Sequence, residues 1–168
     1  KVTANVTYYA QWTPVNYTVT LNGNGGTSTS KSVTYNTAIG TLPSSSRTGY
    51  SFVGWFNTTN ATGGTQLLAT TKITGNVTYY ARWTTNNYTI TWNSNGGNNP
   101  SFATTTKPYN STIGTLPTIS RTGYTFRGWW TTSAATGGTQ AATTTVITGN
   151  TVYYARWTVN NYTITWNS

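Results

Sequence analysis

Alternating apolar and polar residues predict two consecutive β-strands between Val77 and Trp92. In the first strand, one predicted face carries Val77, Tyr79, Ala81 and Trp83, and the other carries Thr78, Tyr80, Arg82 and Thr84. In the second strand, one face carries Tyr88, Ile90 and Trp92. A period of two built from aromatic and β-branched residues is typical of strands. About three residues separate the two strands, which is too short for a flexible linker.

The same stretch occurs three times, which predicts a tandem repeat. The triplet Asn-Tyr-Thr begins at Asn16, Asn87 and Asn161, with spacings of 71 and 74 residues. Two full repeats therefore occupy 16–86 and 87–160. Residues 1–15 match the last strand of a repeat, and residues 161–168 match the first strand. We expect these two segments to belong to a preceding and a following repeat.

Each repeat follows one predicted plan of short strands and turns. In the first repeat, strands are expected at 17–21, 30–35, 50–56 and 77–83, and glycine- and asparagine-rich turns separate them. Four apolar residues between the strands are expected to fill the core: Ile39, Leu42, Leu67 and Leu68. Glycine, proline and serine leave room for a short helix at best. The prediction is a mainly β fold with little or no helix, arranged as an extended rod.

Missing residue types exclude most enzyme and metal chemistry. The 168 residues include no Cys, His, Asp or Glu. General acid–base catalysis, catalytic triads and glycosidase carboxylate pairs need the groups that are absent. Zinc and calcium sites draw on the same residue types. We therefore expect no catalytic residues, no metal site and no cofactor.

The charge of +9 comes from nine scattered Lys and Arg residues. A nucleic-acid-binding protein normally clusters such residues on one face, so no specific nucleic-acid partner is expected. Attraction to an anionic polysaccharide or cell surface still follows from the net charge. No apolar run is long enough to predict a membrane span.

One set of motifs resembles a known family of bacterial surface repeats. Each repeat carries Asn-Gly-Gly, Leu-Pro, Arg-Thr-Gly-Tyr-x-Phe-x-Gly-Trp and Tyr-Tyr-Ala-Arg-Trp in that order. The motif positions used below are Gly49, Tyr50, Gly54, Trp55 and Trp83, with Gly123, Tyr124, Gly128, Trp129 and Trp157 as their counterparts. This set is similar to the Listeria–Bacteroides repeat, also called the internalin B-type repeat. The resemblance implies small β-grasp-like units in tandem on exported proteins, acting mainly as stalks and spacers.

Two motif features have both a packing and a binding interpretation. Gly54 and Gly128 lie inside predicted strands, where a Trp83 or Trp157 ring is expected to cover the backbone. We favour this packing role over ligand stacking. A predicted exposed face presents Tyr80 with Arg82 and Tyr154 with Arg156. These residues could bind sugars, but cross-strand packing is the favoured interpretation.

Two functional hypotheses follow, both extracellular or at the cell surface. The first is a structural repeat that forms a stalk or a self-assembling fibre. Its expected assembly strands carry Val6, Tyr8, Tyr9 and Trp12 at one end and Tyr162, Ile164 and Trp166 at the other. Uncharged sheet edges favour such self-association. The alternative is an adhesin-type module that recognises polysaccharide or a host surface through exposed aromatic and Arg residues.

Overall fold

The structure, a computed structural model, describes residues 1–167 and contains ten β-strands and no helix in that range. The first seven strands are β1 (Asn16–Asn22), β2 (Thr29–Thr34), β3 (Thr37–Ala38), β4 (Tyr50–Phe56), β5 (Lys72–Ile73), β6 (Val77–Thr85) and β7 (Asn87–Asn93). The last three are β8 (Thr104–Pro108), β9 (Tyr124–Trp130) and β10 (Thr151–Val159). The chain divides into two compact units, one ending at Thr84 and the other beginning at Thr85.

The first unit contains a four-stranded sheet in the order β2-β1-β6-β4. β1 pairs antiparallel with β2, from Asn16 opposite Thr34 to Leu21 opposite Thr29. β1 also pairs with β6, but in parallel, with Val19 opposite Val77. The first and last long strands of the unit are therefore hydrogen-bonded neighbours in the middle of the sheet.

The second unit repeats this arrangement in the order β8-β7-β10-β9. β7 pairs antiparallel with β8 and parallel with β10, with Ile90 opposite Thr151. β10 pairs antiparallel with β9, and the register shifts between Ala155 and Trp157. The prediction of tandem, mainly β repeats is confirmed.

Each unit has its own apolar core on one face of its sheet. In the first unit, the buried residues are Val19, Leu21, Val33, Ile39, Trp55, Leu67, Ile73 and Ala81. In the second unit, they are Ile90, Trp92, Ile113, Trp129, Ala141, Ile147, Tyr153 and Ala155. Val77, Tyr79 and Trp83 pack against the first cluster, as the period-two pattern predicted.

The connections between strands complete the two cores. Ile39 is buried and Leu42 packs against the core, as predicted, and Leu67 N–H donates to Trp55 O at 2.8 Å. The prediction for Leu68 is wrong, because its side chain is 55% exposed. Leu67 and Leu68 are adjacent, and an extended backbone directs successive side chains to opposite sides. Only one of the pair can therefore face the core.

The two predicted end strands do not form within the described residues. Residues 1–15 and 160–167 contain no strand and are exposed throughout, except for Asn160, which is half-buried; Ser168 lies outside the described range. The sequences they match, β6 and β7, are strands because they hydrogen-bond to neighbours in their own units. Within the described part of the chain, no comparable neighbouring strand pairs with residues 1–15 or 160–167. Among residues 1–167 we find no helix that is long and apolar enough to cross a membrane.

Candidate functional site

Arginine–aromatic stacking is the main electrostatic feature of both units. Since the sequence has no Asp or Glu, no salt bridge can form between two side chains. Four of the arginines instead place Cζ over an aromatic ring: Arg47 over Tyr50 at 3.8 Å, Arg82 over Phe56 at 3.5 Å, Arg121 over Tyr124 at 3.7 Å and Arg156 over Trp130 at 3.9 Å. The negative face of the ring attracts the cation. Aromatic rings therefore take the place that carboxylates usually occupy.

Arg82 and Arg156, two of the predicted ligand-facing residues, are held by the fold. Arg82 Nη2 donates to the carbonyls of Asn60 and Gly63, in the loop after β4. Arg156 Nη2 donates to Gly137 O at 2.8 Å. The Nε atoms of both arginines are buried and have no hydrogen-bond partner among the described residues. The arrangement joins the last strand of each unit to a loop, and a ligand-binding role for these residues stays a prediction.

Replacing Arg156 with Gln tests the structural role of this stacking. We expect Arg156→Gln to lower the free energy of unfolding by about 1–2 kcal/mol, because one cation–π contact and one hydrogen bond are lost. The exposed Arg127 has a hydrogen bond to Thr158 but stacks on no ring among residues 1–167, so Arg127→Gln is the matched control. Urea denaturation compares the two variants. Equal losses would show that the ring contact contributes nothing.

The motif tryptophans fix the turns of each unit. Trp55 Nε1 donates to Pro43 O at 2.8 Å, and Trp129 Nε1 donates to Pro117 O at 3.0 Å. Both rings are about 1% exposed. In each unit, a hydrogen bond thus joins the Gly-Trp motif to the Leu-Pro motif. The proline carbonyl supplies the acceptor that a buried indole N–H needs.

The tryptophan rings of the last strands lie over Gly26 and Gly97, not over the predicted Gly54 and Gly128. A Cβ at Gly97 would lie 2.5 Å from Trp157 Cζ2, and Gly26 is covered in the same way by Trp83. The nearest side chain to Gly54 is instead that of Gln66, and to Gly128 it is that of Gln140. The prediction of a ring over Gly54 and Gly128 is therefore wrong. Their positive φ angles, 153° and 112°, explain the glycines at these positions.

The Arg-Thr-Gly-Tyr motif forms a tight turn before the third long strand. Gly49 and Gly123 both have φ of 79°, a left-handed conformation that favours glycine. The N–H of Tyr50 donates to Arg47 O at 3.1 Å, and Tyr124 and Arg121 repeat this bond. The turn thereby places each tyrosine ring under the guanidinium of its own arginine. The spacing Arg-x-x-Tyr was the available sequence signal for this stacking of Arg on Tyr, which was not predicted.

The seven residues predicted to form assembly strands are exposed. The exposed fractions of Tyr8, Tyr9 and Trp12 are 86%, 85% and 88%. Tyr162, Ile164 and Trp166 are 78%, 75% and 87% exposed, and Val6 is 55% exposed. Their assembly role stays a prediction. The other predicted ligand-facing residues, Tyr80 and Tyr154, are half-buried.

One tyrosine in the second core, Tyr153, has a raised pKa. Tyr153 is 5% exposed, and its ring stacks on that of Trp92 with centroids 5.3 Å apart. Burial raises the pKa of the Tyr153 phenol above its ordinary value of 10.0, because the anion loses its hydration. Folding therefore favours the neutral phenol.

This pKa shift and the missing residue types predict an unusual pH dependence. Tyr, Lys and Arg, with ordinary pKa values of about 10 or more, are the only ionisable side-chain types present. We expect the melting temperature to be constant from about pH 4 to pH 9. The stability contributed by neutral Tyr153 is fully present below pH 10.0 and is lost as the pH rises through the raised pKa. Thermal melts of wild type and Tyr153→Phe check this, and the variant should lose less stability in alkali.

The family comparison matches both repeats. A family profile described as "Listeria-Bacteroides repeat domain" matches residues 17–82 and 88–156. The two matches cover most of the chain and correspond to the two full repeats found in the sequence. No solved structure is significantly similar to this chain.

Curated relatives match over most of this chain but over little of their own length. Two are proteins of Evansella cellulosilytica: one named as a membrane protein is 30% identical over 97% of this chain, and one named as a Gly-rich membrane protein is 32% identical over 99%. Internalin H of Listeria monocytogenes is 35% identical over 81% of this chain. The chain spans 24%, 19% and 24% of these relatives, respectively.

Proposed function

The chain belongs to the Listeria–Bacteroides repeat family, and we propose that it is a non-catalytic structural segment, a stalk or spacer, of a bacterial surface protein. The names of the relatives, membrane proteins and an internalin, support a location at the cell envelope. We place the segment outside the cell.

One observation carries this proposal: the same four-stranded sheet occurs twice, and each copy has a complete core. Repetition of a self-contained unit extends a chain without adding chemistry, as in other repeat proteins. Only Asn86 lies between β6 and β7. A connection this short leaves few backbone dihedrals free between the units. We propose that the tandem units form an extended rod.

We also propose that each unit is β-grasp-like. The central parallel pair of first and last strands, with an antiparallel hairpin partner on one side, supports this description. The helix that usually covers such a sheet is absent from the described residues, and buried loop residues such as Ile39 and Leu67 cover the core instead. A crystal structure in which the two central strands were antiparallel would refute it.

Size-exclusion chromatography with light scattering, at low and high salt, tests the spacer role. A monomer of 18.2 kDa that elutes early for its mass supports a spacer. Large assemblies that persist in high salt would show instead that pairing of sheet edges or chain ends is the function, and that the protein is a filament subunit. Electron microscopy of the eluted peak identifies any fibres.

A second candidate function, binding of an anionic polymer, is favoured by the uncompensated charge. The Cζ of Arg47 lies 3.8 Å from the centre of the Tyr50 ring, and no hydrogen bond from the Arg47 guanidinium is found within residues 1–167. It lines a surface depression with Ser45, Ser46 and Thr48. Arg121 occupies the corresponding place in the second unit, where its Nη1 donates to Asn95 O at 3.5 Å and its other donors have no partner among residues 1–167. A guanidinium with free donors is suited to carboxylate, sulfate or phosphate groups.

A double variant tests this binding against general charge effects. We expect Arg47→Gln with Arg121→Gln to weaken binding of heparin or polygalacturonate about tenfold in calorimetry at low salt. The control variant, with Lys1→Gln and Arg127→Gln at two exposed positions, has the same net charge and should lose far less binding affinity. Equal losses would mean that the net charge alone attracts the polymer.

A further inference from the structure

The central strand pair of each unit also has a consequence for mechanical load. The chain enters the first unit through β1 and leaves it through β6, and these strands are parallel neighbours. Tension along the chain pulls β1 towards its start and β6 towards its end. Because the strands point the same way, these pulls are opposite and lie along the strand axes. The load therefore acts on all the inter-strand bonds together.

The paired region is short, central and duplicated. In the first unit, the register runs from Val19 opposite Val77 to Asn22 opposite Tyr80. In the second, it runs from Ile90 opposite Thr151 to Asn93 opposite Tyr154. Val19, Leu21 and Ile90 on the first strands are 0% exposed. The buried side chains cover the strand pair on its core face and shield its hydrogen bonds from water on that side.

Side-chain hydrogen bonds reinforce the pair before its start. Thr18 N–H donates to Asn76 Oδ1 at 2.8 Å, across 58 residues of sequence. Thr89 N–H donates to Asn150 Oδ1 at the same distance in the second unit. Each asparagine lies in the tight turn immediately before the last strand. The parallel ladder therefore gains one additional bond at this end in both units.

In each unit, two further hydrogen bonds reinforce the other end of the strand pair. Asn24 Nδ2 donates to Ala81 O at 3.2 Å, and Asn95 Nδ2 donates to Ala155 O at 2.9 Å. The indole Nε1 of Trp83 donates to Gly23 O at 3.0 Å, and that of Trp157 donates to Ser94 O at 3.1 Å. All these bonds connect the first strand, or the turn after it, to the last strand.

We propose that this junction is a mechanical clamp, by which each unit resists unfolding when the chain is pulled from its two ends. The clamp rests on the proposed stalk function only in that a stalk is where such tension arises. Forced unfolding is governed by the unfolding rate under load. Bonds that must break together oppose that rate more than bonds that break one after another.

Pulling the same unit in two directions tests the clamp. The chain has no cysteine, so pairs of introduced cysteines define the attachment points for single-molecule stretching. Val15→Cys with Thr85→Cys loads β1 against β6 along their axes. Val15→Cys with Tyr35→Cys opens the β1–β2 hairpin from its free end. We expect a several-fold higher unfolding force in the first direction at the same loading rate, and equal forces would overturn the proposal.

A matched pair of asparagine variants tests the reinforcing bonds. Asn76→Ala removes the acceptor of Thr18 N–H, and Asn57→Ala removes an equivalent acceptor, that of Thr65 N–H, outside the clamp. We expect Asn76→Ala to shorten the lifetime under axial load roughly fivefold, the effect of one hydrogen bond. Asn57→Ala should leave it unchanged. The same change in both variants would overturn the role of Asn76. Both measurements are made on single molecules and do not depend on assembly. They would therefore still test the clamp if light scattering showed that the protein forms filaments.

Discussion

Trp129→Ala is expected to lower the free energy of unfolding of the second unit by about 3–5 kcal/mol, the cost of removing a large aromatic core residue. The ring is about 1% exposed and contacts the rings of Trp92 and Phe126 edge-on, at 5.1 and 5.5 Å between centroids. Its loss also leaves Pro117 O without the indole donor. Such a loss is a large part of the stability of a unit this small.

Trp166→Ala is the control for this prediction. Trp166 lies in the same unit and is 87% exposed, so the same substitution should change stability by less than about 0.5 kcal/mol. Guanidinium denaturation followed by circular dichroism measures both variants. If Trp129→Ala were as stable as Trp166→Ala, the core of the second unit would be assigned wrongly.

Gly97→Ala is expected to cost about 2–3 kcal/mol, through overpacking rather than through a cavity. The added Cβ would lie 2.5 Å from Trp157 Cζ2 and 3.0 Å from Ser120 O. The ring cannot move away freely, because its Nε1 donates to Ser94 O in the same turn. The backbone carbonyl of Ser120 is also fixed, since it accepts a hydrogen bond from Asn98 N.

Gly149→Ala controls for the loss of a glycine. Among residues 1–167, no atom outside its chain neighbours lies within 4 Å of the position that a Cβ would take there. Thermal melts should show a small shift for Gly149→Ala and a large one for Gly97→Ala. A small shift in both would mean that the tryptophan does not pack on the Gly-Gly turn.

Local patterns were enough to predict the four long strands of each unit, because each central strand alternates between core and solvent. The same patterns also predicted the two end strands, which do not form among residues 1–167. Ala81 was placed correctly on the same face as Trp83. The tandem organisation followed from the exact recurrence of Asn-Tyr-Thr. The face on which a strand residue lies depends on its position relative to its sequence neighbours, so a period of two in the sequence predicts it directly.

Contacts between distant residues were not predictable in the same way. Nothing near Gly54 in sequence shows that Gln66 will cover it, or that Trp83 will cover Gly26 instead. The bond from Thr18 to Asn76 joins residues that only the parallel pairing brings together. Asn76 and Asn150 resembled ordinary turn residues, and their recurrence before each last strand was the one available signal.

Small-angle X-ray scattering on chains with increasing numbers of repeats tests the stalk most directly. Chains of two, four and six units are made by duplicating residues 16–160, with the connection at Asn86 kept unchanged. We expect the maximum dimension to rise linearly with the number of units while the cross-sectional radius stays constant. A maximum dimension that rises only slowly, with a growing cross-section, would show that the units fold back on one another and would contradict the proposed stalk.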